Sequence, residues 1–486
     1  MIALFALLPC AMVIVAVMGF RQSGVIAAAI ACLTALAIWL SAIYSAPALL
    51  QLGQTVTDAL VIEALVASVV LPGIFFVVTS SRIGAPQAIA TVMGALELSL
   101  PRTAILIATG IGVMVESLTG YGVSLLVTVP LLLNVVDRRC AIGLALVGMC
   151  LMPWGALSVA ALLGAELAGL PVATLAAEIV WTSGPVAAFL PALCLLFVPK
   201  WTVSDLAYGV LMGVVLWLGI GLGSHWIGVE VAGVAGGMAV IALSALVARR
   251  NEGLGEALSA PALRPYPMLI AAVILQKWAV SEIAVLGFSP ELSTGRVTFV
   301  LLSSPGIALF VVALLFWFAQ RQKVRETSNG ETISSEVFRR AWRALASILL
   351  FMITARLLVT CGAISALSDL LANLGAYTAL AAVTILGATG GYVTGTGLVG
   401  NALFMTGAAA TGANFDATAL FAALQHSATS HTAMSALPVA AILLAALPNR
   451  QSSDDHLVMK TALSLAGFSV IVLILGGWLQ LYMASN

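Results

Sequence analysis

Two short segments rich in threonine and glycine interrupt two long stretches of the chain that carry almost no charge. Residues 118–122 read LTGYG, and residues 393–397, which lie 275 positions further on (393 − 118), read VTGTG. Glycine permits a tight turn and a close approach of the backbone. A helix that begins just after such a turn presents free N–H groups and the positive end of its dipole, which favour an anion. The segments therefore predict a site for a small carboxylate, with these candidate ligands: Thr119, Gly120, Gly122, Thr394, Gly395, Thr396 and Gly397.

Ionisable side chains inside apolar stretches form a second group of candidates, because charges are costly within a membrane and usually serve a function there. Glu116 is the one charged residue of residues 103–136 and lies three positions before Thr119. We expect it either to bind and release a proton or simply to hydrogen-bond the turn backbone. Arg356 can pair bidentately with a substrate carboxylate. Its alternatives are an ion pair with Glu63 or extension of the side chain to the membrane surface.

Neutral polar side chains complete the predicted site. Asn401, Ser158 and Ser435 can hydrogen-bond a hydroxyl or a carboxylate, and His431 can contact the substrate or carry a proton. His426 and His431 are five residues apart, which is not the i, i+4 spacing of a helical metal pair, and the sequence contains no GxxxxGK[ST] segment. The sequence therefore predicts neither a metal site nor a cofactor.

The composition restricts the kind of protein that can hold these residues. Of 486 residues, 62% are hydrophobic and only 8% are charged, with 20 basic residues balancing 20 acidic ones. Soluble globular proteins contain about 25% charged residues. This composition excludes a soluble globular protein, a disordered chain and a basic nucleic-acid-binding surface. It predicts an all-α polytopic protein embedded in a lipid bilayer.

Apolar runs bounded by charges or by proline and glycine predict twelve transmembrane helices of about 20 residues each. Two further stretches, residues 103–136 and 376–412, are too long for one helix and carry the threonine–glycine segments near their middle. We expect each of them to form a re-entrant helical hairpin. The predicted spans are 2–19, 24–45, 59–80, 140–163, 172–198, 206–223, 226–248, 266–286, 298–319, 344–361, 417–447 and 460–483.

The basic residues predict the orientation, because lysine and arginine concentrate on the cytoplasmic side of a membrane. With both termini outside, every basic residue except Arg296, Lys277 and Arg356 falls inside, which is 17 of 20 (20 − 3). This assignment requires hairpin 103–136 to enter and leave from the cytoplasmic side. It requires hairpin 376–412 to enter and leave from outside.

A span, a hairpin, a broken span and a further span follow one another at 59–198 and again at 344–483, in opposite predicted orientations. The two breaks lie at residues 153–158 (PWGALS) and 430–435 (SHTAMS). Inverted repeats are typical of secondary transporters, whose binding site lies at the repeat interface. For the glycines, close packing of helices through small residues is the alternative.

The remaining segments are assigned within one transporter domain, 1–486. Residues 206–319 are predicted to form scaffold helices, and residues 320–343 a cytoplasmic loop. That loop is the longest hydrophilic one and has only 24 residues (320–343). No predicted loop can hold a soluble catalytic domain, so the sequence does not indicate an enzyme.

Both hairpins resemble segments of the L-lactate permease family. Residues 115–122 (VESLTGYG) resemble the family's EGAAGFG core, and residues 395–404 (GTGLVGNALF) resemble its G-S-x-T-x-S-N-A-L-F segment. Glu116, Gly120 and Gly122 match the first segment, and Asn401 matches the second. The resemblance implies a proton symporter of the bacterial inner membrane that takes up lactate or a related 2-hydroxy monocarboxylate.

Other functions stay open at this point. The same fold can couple the transport of a small organic anion to Na⁺ instead of a proton, with Asn401 and hairpin oxygens as ligands of the Na⁺. A passive channel or a non-transporting membrane subunit is a further alternative. The expected partners are a small carboxylate, a proton and the lipid of a plasma membrane, without nucleic acid. The sequence indicates no oligomeric state.

Overall fold

Helices make up nearly all of the regular structure in a computed structural model, which describes residues 2–20, 22–45, 49–120, 122–250, 253–326 and 330–485. For this part of the chain the predicted all-α class is confirmed. The helices up to residue 250 are α1 Leu8–Ile14, α2 Gly24–Leu40, α3 Leu49–Arg82, α4 Ala85–Gly94, α5 Leu100–Ile105, α6 Gly112–Thr119, α7 Ser124–Leu133, α8 Arg138–Met149, α9 Gly155–Ala168, α10 Val172–Leu193, α11 Val203–Trp226 and α12 Val229–Val247.

The second half of the chain continues in the same way. Its helices are α13 Leu254–Leu258, α14 Pro265–Val285, α15 Gly306–Ala319, α16 Arg321–Glu326, α17 Ile333–Thr360, α18 Ala363–Ala372, α19 Ala376–Thr394, α20 Gly397–Ala413, α21 Thr418–Thr432, α22 Leu437–Ala446 and α23 Ser452–Ser485. Two short antiparallel pairs of strands occur, β1 Leu96–Glu97 with β2 Arg249–Arg250 and β3 Glu291–Ser293 with β4 Thr298–Val300.

Short 3₁₀ or π segments adjoin several α-helices. They are Ile2–Leu7, Val15–Gly19, Leu106–Ile111, Met152–Trp154, Cys194–Phe197, Pro261–Leu263, Leu301–Ser303 and Ala433–Ser435. Two of them, Met152–Trp154 and Ala433–Ser435, coincide with the predicted polar breaks. One π turn, Leu106–Ile111, joins α5 to α6, so these form one continuous arm.

Nine helices in the described residues are long and apolar enough to cross a membrane, and two bent pairs, α8 with α9 and α21 with α22, raise the number to eleven. The chain is therefore a multi-pass helical membrane protein with fewer long spans than the twelve predicted. The nine include the first arms of both predicted hairpins, Leu100–Thr119 and Ala376–Thr394. Three predicted spans, 2–19, 24–45 and 298–319, contain only shorter apolar helices.

Some predicted bounds are wrong for local reasons. The span predicted at 298–319 begins with β4 and a 3₁₀ turn, and its helix starts only at Gly306, directly after a proline. The span predicted at 24–45 ends at Leu40. The predicted loop 320–343 contains α16 and the first turns of α17, because Thr332 caps that helix by accepting the Ser335 N–H (3.3 Å).

The same order of elements occurs twice along the chain. A long helix, a ten-residue helix, two helices joined by a tight turn, a bent pair and a final helix follow one another from α3 to α10 and from α17 to α23. The sequence pattern did not predict the two ten-residue helices, α4 and α18. Each begins after a glycine with positive φ, +90° at Gly84 and +87° at Gly362.

Both predicted hairpins are pairs of helices whose arms touch. In the first, which we call hairpin 1 (residues 100–133), a Cβ at Gly112 would lie 3.3 Å from Thr128 Cγ2 of the other arm. In the second, hairpin 2 (residues 376–413), a Cβ at Gly390 would lie 3.3 Å from Gly400 Cα. Small residues thus allow the arms to approach closely, as in many membrane helix pairs.

The bent pairs lie among the other helices. Helix α9 packs against α6 and α20, and helix α21 packs against α10, α19 and α20. The polar residues of α21 from Gln425 to Thr432 are buried. Polar groups within a membrane require such positions, because lipid tails offer no hydrogen bonds.

Candidate functional site

The first bent pair breaks where the sequence predicts a polar break. Helix α9 leaves α8 at 50°, and the backbone is left-handed at three successive residues, with φ of +50° at Ala156, +51° at Leu157 and +55° at Ser158. Left-handed backbone costs about 1–2 kcal/mol for each residue with a Cβ, so the neighbouring elements must hold it. The hydroxyl of Ser158, a predicted ligand, donates to the carbonyl of Val229 (2.6 Å) and ties this turn to α12.

The second bent pair turns by 44° at Ala436, which is later than the predicted break. Residues 430–432, which belonged to the predicted break, are helical instead. Polar side chains here need no break to find a partner, because the Thr432 hydroxyl donates along the helix to the Ala428 carbonyl (2.8 Å). The hydroxyl of Ser435, another predicted ligand, donates locally to the carbonyl of Thr432 (2.6 Å).

Each hairpin tip packs against one bend. Gly120 has φ +69°, and a Cβ there would lie 2.6 Å from Ala156 Cβ in the left-handed turn. Gly395 has φ +75°, and a Cβ there would lie 3.2 Å from Ala436 Cβ. Glycine provides both the positive φ and the close approach. The two threonine–glycine segments therefore occupy corresponding places in the two copies.

The carboxylate of Glu116 occupies the N-terminal end of the second arm of hairpin 1. It accepts the N–H of Gly122 (3.1 Å) and both the N–H (3.4 Å) and the hydroxyl (2.8 Å) of Ser124. A helix N-terminus favours a carboxylate whichever molecule supplies it. The Glu116 side chain therefore accepts the N–H groups that the sequence predicted to bind a substrate. Of the two alternatives predicted for Glu116, the hydrogen bonding to the turn backbone is the one that the structure contains. Tyr121 lies outside the described residues.

Thr119 lines a cavity at the same tip, and Gly122 packs against the second bent pair. The Thr119 hydroxyl donates to the carbonyl of Val115 (2.6 Å), and its side chain lines a cavity of about 300 Å³. A Cβ at Gly122, whose φ is +75°, would lie 3.4 Å from Ile442 of α22. Hairpin 1 thus touches the second bent pair as well as the first.

The tip of hairpin 2 has a different arrangement. Thr396 caps α20 by accepting the N–H of Val399 (3.1 Å), and Thr394 donates to the carbonyl of Gly390 (2.7 Å). A Cβ at Gly397 would lie 2.5 Å from Ser430 Oγ and 3.2 Å from Ala160 Cβ. The backbone of this tip therefore lies directly against α21 and α9.

Asn401 connects hairpin 2 to the first bent pair. Its Nδ2 donates to the carbonyl of Ala160 (2.7 Å) and lies 2.9 Å from Nδ1 of His426. Nε2 of His426 in turn lies 3.3 Å from the carbonyl of Pro153. An N–H on Nε2 would donate to that carbonyl and leave Nδ1 to accept from Asn401. These contacts hold the second hairpin against the two ends of the first break.

His431 belongs to a chain of buried hydrogen bonds. Its Nδ1 faces the carbonyl of Cys150, and its Nε2 lies 3.0 Å from the hydroxyl of Ser183. Ser183 donates to Ser427 (2.8 Å), which lies 2.8 Å from Thr182. The chain links α21 to α10 and to the start of the first break.

Arg356 stands apart from these residues. It lies half-buried in α17, and in the described part of the chain no hydrogen bond or ion pair joins its guanidinium to another predicted site residue. Its charged neighbours are Asp58, Glu166 and Arg296. The predicted pairing with a substrate at the hairpin tips stays a prediction.

Buried polar atoms without a hydrogen-bond partner concentrate around the tips and the bends. Leaving a buried donor or acceptor unpaired costs about 1–3 kcal/mol, so each one points to a group that can pair with it. Within the described residues these atoms are Ser117 Oγ, Trp154 Nε1, Asn401 Oδ1, Gln425 Oε1 and Ser430 Oγ, and further away Glu63 Oε2, Thr79 Oγ1 and Arg356 Nε.

Polar residues of α10 and α21 that were not predicted as site residues include Thr182, Ser183, Gln425, His426, Ser427 and Ser430. The sequence contained a signal for them. Residues 425–432 read QHSATSHT, an unusually polar helix in so apolar a chain, and residues 182–183 interrupt an apolar run.

The described residues contain no group of three or more His, Cys, Asp or Glu side chains that could hold a metal ion. No model of a known protein family and no curated protein sequence matches the chain.

Proposed function

We propose that this membrane protein is a secondary active transporter that moves a small organic anion by alternating access. One observation carries the proposal: the tips of two hairpins meet two bent helix pairs, and buried polar atoms without partners concentrate at those contacts. Broken helices at membrane depth are tolerated where they line a cavity or a ligand site. Paired breaks of this kind are typical of transporters built from repeats.

The repeated order of elements supports two structural repeats, and the distribution of the basic residues predicts that the two copies are inverted. In this proposal hairpin 1 enters from the cytoplasmic side and hairpin 2 from outside, with both termini outside the plasma membrane of a bacterium. The hairpins and bent pairs move the anion past scaffold helices of residues 206–319. The protein transports without being an enzyme, and it requires no cofactor.

The proposed substrate is lactate or a related small 2-hydroxy monocarboxylate. The resemblance of both hairpins to the L-lactate permease family is one support. The chemistry of the site is another, because Asn401, Gln425 and Ser430 offer neutral groups that can hydrogen-bond a hydroxyl or a carboxylate. Gly397 brings the backbone of hairpin 2 next to the same groups.

Glu116 and His431 are the proposed proton-binding residues. Protonation of Glu116 removes the charge that attracts the donors of Gly122 and Ser124, and so loosens the tip of hairpin 1. The buried hydrogen-bonded chain from His431 through Ser183 to Ser427 can pass a proton between α21 and α10. Proton binding at these residues and anion binding at the tips would then be linked.

Coupling to Na⁺ is the second candidate, and one observation favours it. Asn401 Oδ1 and Gln425 Oε1 are buried oxygen acceptors without a donor. The two residues lie close together, since Gln425 Nε2 donates to the carbonyl of Gly400, the neighbour of Asn401 (3.1 Å). Oxygen ligands of this type suit a hard cation.

Uptake into proteoliposomes tests the proposal. The purified protein should accumulate radiolabelled L-lactate above the outside concentration when an inward proton gradient is imposed without Na⁺, and a protonophore should abolish the accumulation. Accumulation that requires a Na⁺ gradient would show that the coupling ion is Na⁺ and not a proton. A folded protein that accumulates neither lactate nor any of a panel of small carboxylates under either gradient would overturn the proposed function.

A further inference from the structure

A cavity of about 300 Å³ lies between the tip of hairpin 1 and the beginning of α17. Helix α3 contributes Val70, Ile74 and Val77 to its wall, and hairpin 1 contributes Thr119 and Val123. The wall is therefore mostly hydrocarbon, with one hydroxyl at the hairpin. The cavity reaches the tip whose turn is bonded by Glu116.

Among the described residues that line this cavity, Arg340 is the one with a charged side chain. Its Nη2 lies 2.5 Å from Glu336 Oε1, and the other oxygen of Glu336 lies 2.6 Å from Nη2 of Arg82. Two arginines share one carboxylate, so the three side chains together carry a formal charge of +1. Arg340 is the most exposed of the three, at 40%, against 10% for Arg82 and 12% for Glu336.

We propose that this cavity is the passage through which the transported anion reaches or leaves hairpin 1 on the α17 side, with Arg340 binding its carboxylate and the apolar wall receiving its hydrocarbon part. The inference rests on the proposed function and deepens it, because it assigns an anion-binding residue and one side of the route. A positive group at the mouth of a low-dielectric cavity raises the local concentration of anions.

The ion pairs allow Arg340 to change partners. When the guanidinium turns to a bound anion, Glu336 retains Arg82, so its carboxylate keeps a partner of opposite charge. A buried carboxylate left without any partner would oppose such a change. The shared carboxylate thus permits Arg340 to bind and release the substrate at little cost.

Arginine substitution is the first test. With transport measured from the α17 side, Arg340→Gln should raise KM for L-lactate about tenfold, the loss expected for one charge-assisted hydrogen bond, and leave kcat nearly unchanged. Arg339→Gln is the matched control, because the guanidinium of Arg339 pairs with Glu331 (2.9 Å) and does not line the cavity. Equal KM values for the two variants, in a protein that transports, would overturn the inference and leave the proposed function standing.

Thiol labelling is the second test and does not depend on transport. Val123→Cys, in a background with Cys10, Cys32 and Cys140 replaced by serine, should react with a small negatively charged methanethiosulfonate added on the α17 side. L-Lactate should slow that reaction. A cysteine that reacts only with an apolar maleimide, with no protection by L-lactate, would show a lipid-filled cavity and overturn the inference. A wild-type protein that fails to transport any carboxylate would instead contradict the proposed function itself.

Discussion

At the scale of single residues, the carboxylate of Glu116 is the group that hydrogen-bonds the turn of hairpin 1. It is buried, and it satisfies two N–H groups and one hydroxyl at the beginning of α7. A turn that depends on a carboxylate for its hydrogen bonds responds directly to the protonation of that carboxylate. In the proposed function, this property couples proton binding to the movement of hairpin 1.

Replacing Glu116 by glutamine tests this coupling. Glu116→Gln keeps the size of the side chain and an acceptor for Gly122, but it cannot exchange a proton, so proton-driven accumulation of L-lactate should fall at least tenfold. Glu178→Gln, which changes a half-buried glutamate of α10 in the same way, should accumulate L-lactate as the wild type does. Equal accumulation by both variants would show that the coupling proton binds at a residue other than Glu116.

Residue types alone could not show which carboxylate occupies the N-terminus of α7. The threonine–glycine segment predicted a turn with an anion beside it. That anion could be a substrate or the carboxylate of Glu116, four residues before Gly120. Spacing along the chain does not distinguish a substrate from Glu116, because the occupant of this position depends on how the turn folds back. The structure places the carboxylate of Glu116 at this position, and the proposed substrate site is therefore the group of polar atoms around Asn401.

At the scale of elements, hairpins and bends were predictable because their signals are local. Glycine marks the two tips, and Pro153 marks the first break. The second bend lies just after the predicted polar segment 430–435, two residues before Pro438. The left-handed turn at residues 156–158 was not predictable, because alanine, leucine and serine rarely adopt that backbone. Tertiary contacts hold it, notably the bond from Ser158 to α12. Helices α4 and α18 were missed because ten residues are too few for a span.

The two hairpins provide a test of the inverted arrangement. Asn134 and Asn414 directly follow the second arms of hairpins 1 and 2, and both are exposed. In intact cells Asn414→Cys should react with a membrane-impermeant maleimide added outside, whereas Asn134→Cys should react only after permeabilisation. The two positions form a matched pair, since they occupy the same place in the two copies. Reaction of both cysteines from one side would exclude opposite orientations.

At the scale of the whole molecule, the distribution of the buried polar residues favours the proposed carrier over a channel. They concentrate where two hairpins, two bends and helix α10 meet, rather than along one continuous stripe. The backbone of hairpin 1 packs against Ala156 at Gly120, and that of hairpin 2 packs against Ser430 at Gly397, so each tip is in close contact with a bent pair. In the proposed function, a substrate passes these contacts when the tips separate from the bent pairs in turn, which is alternating access.

Counterflow tests that central claim most directly. Proteoliposomes loaded with unlabelled L-lactate are diluted into a trace of radiolabelled L-lactate, with no gradient of protons or Na⁺. A carrier that alternates between two sides exchanges inner for outer substrate, so we predict a transient accumulation of label above its outside concentration, followed by a slow decline. Label that rises only to the outside concentration, without an overshoot, would indicate a passive channel and contradict the account.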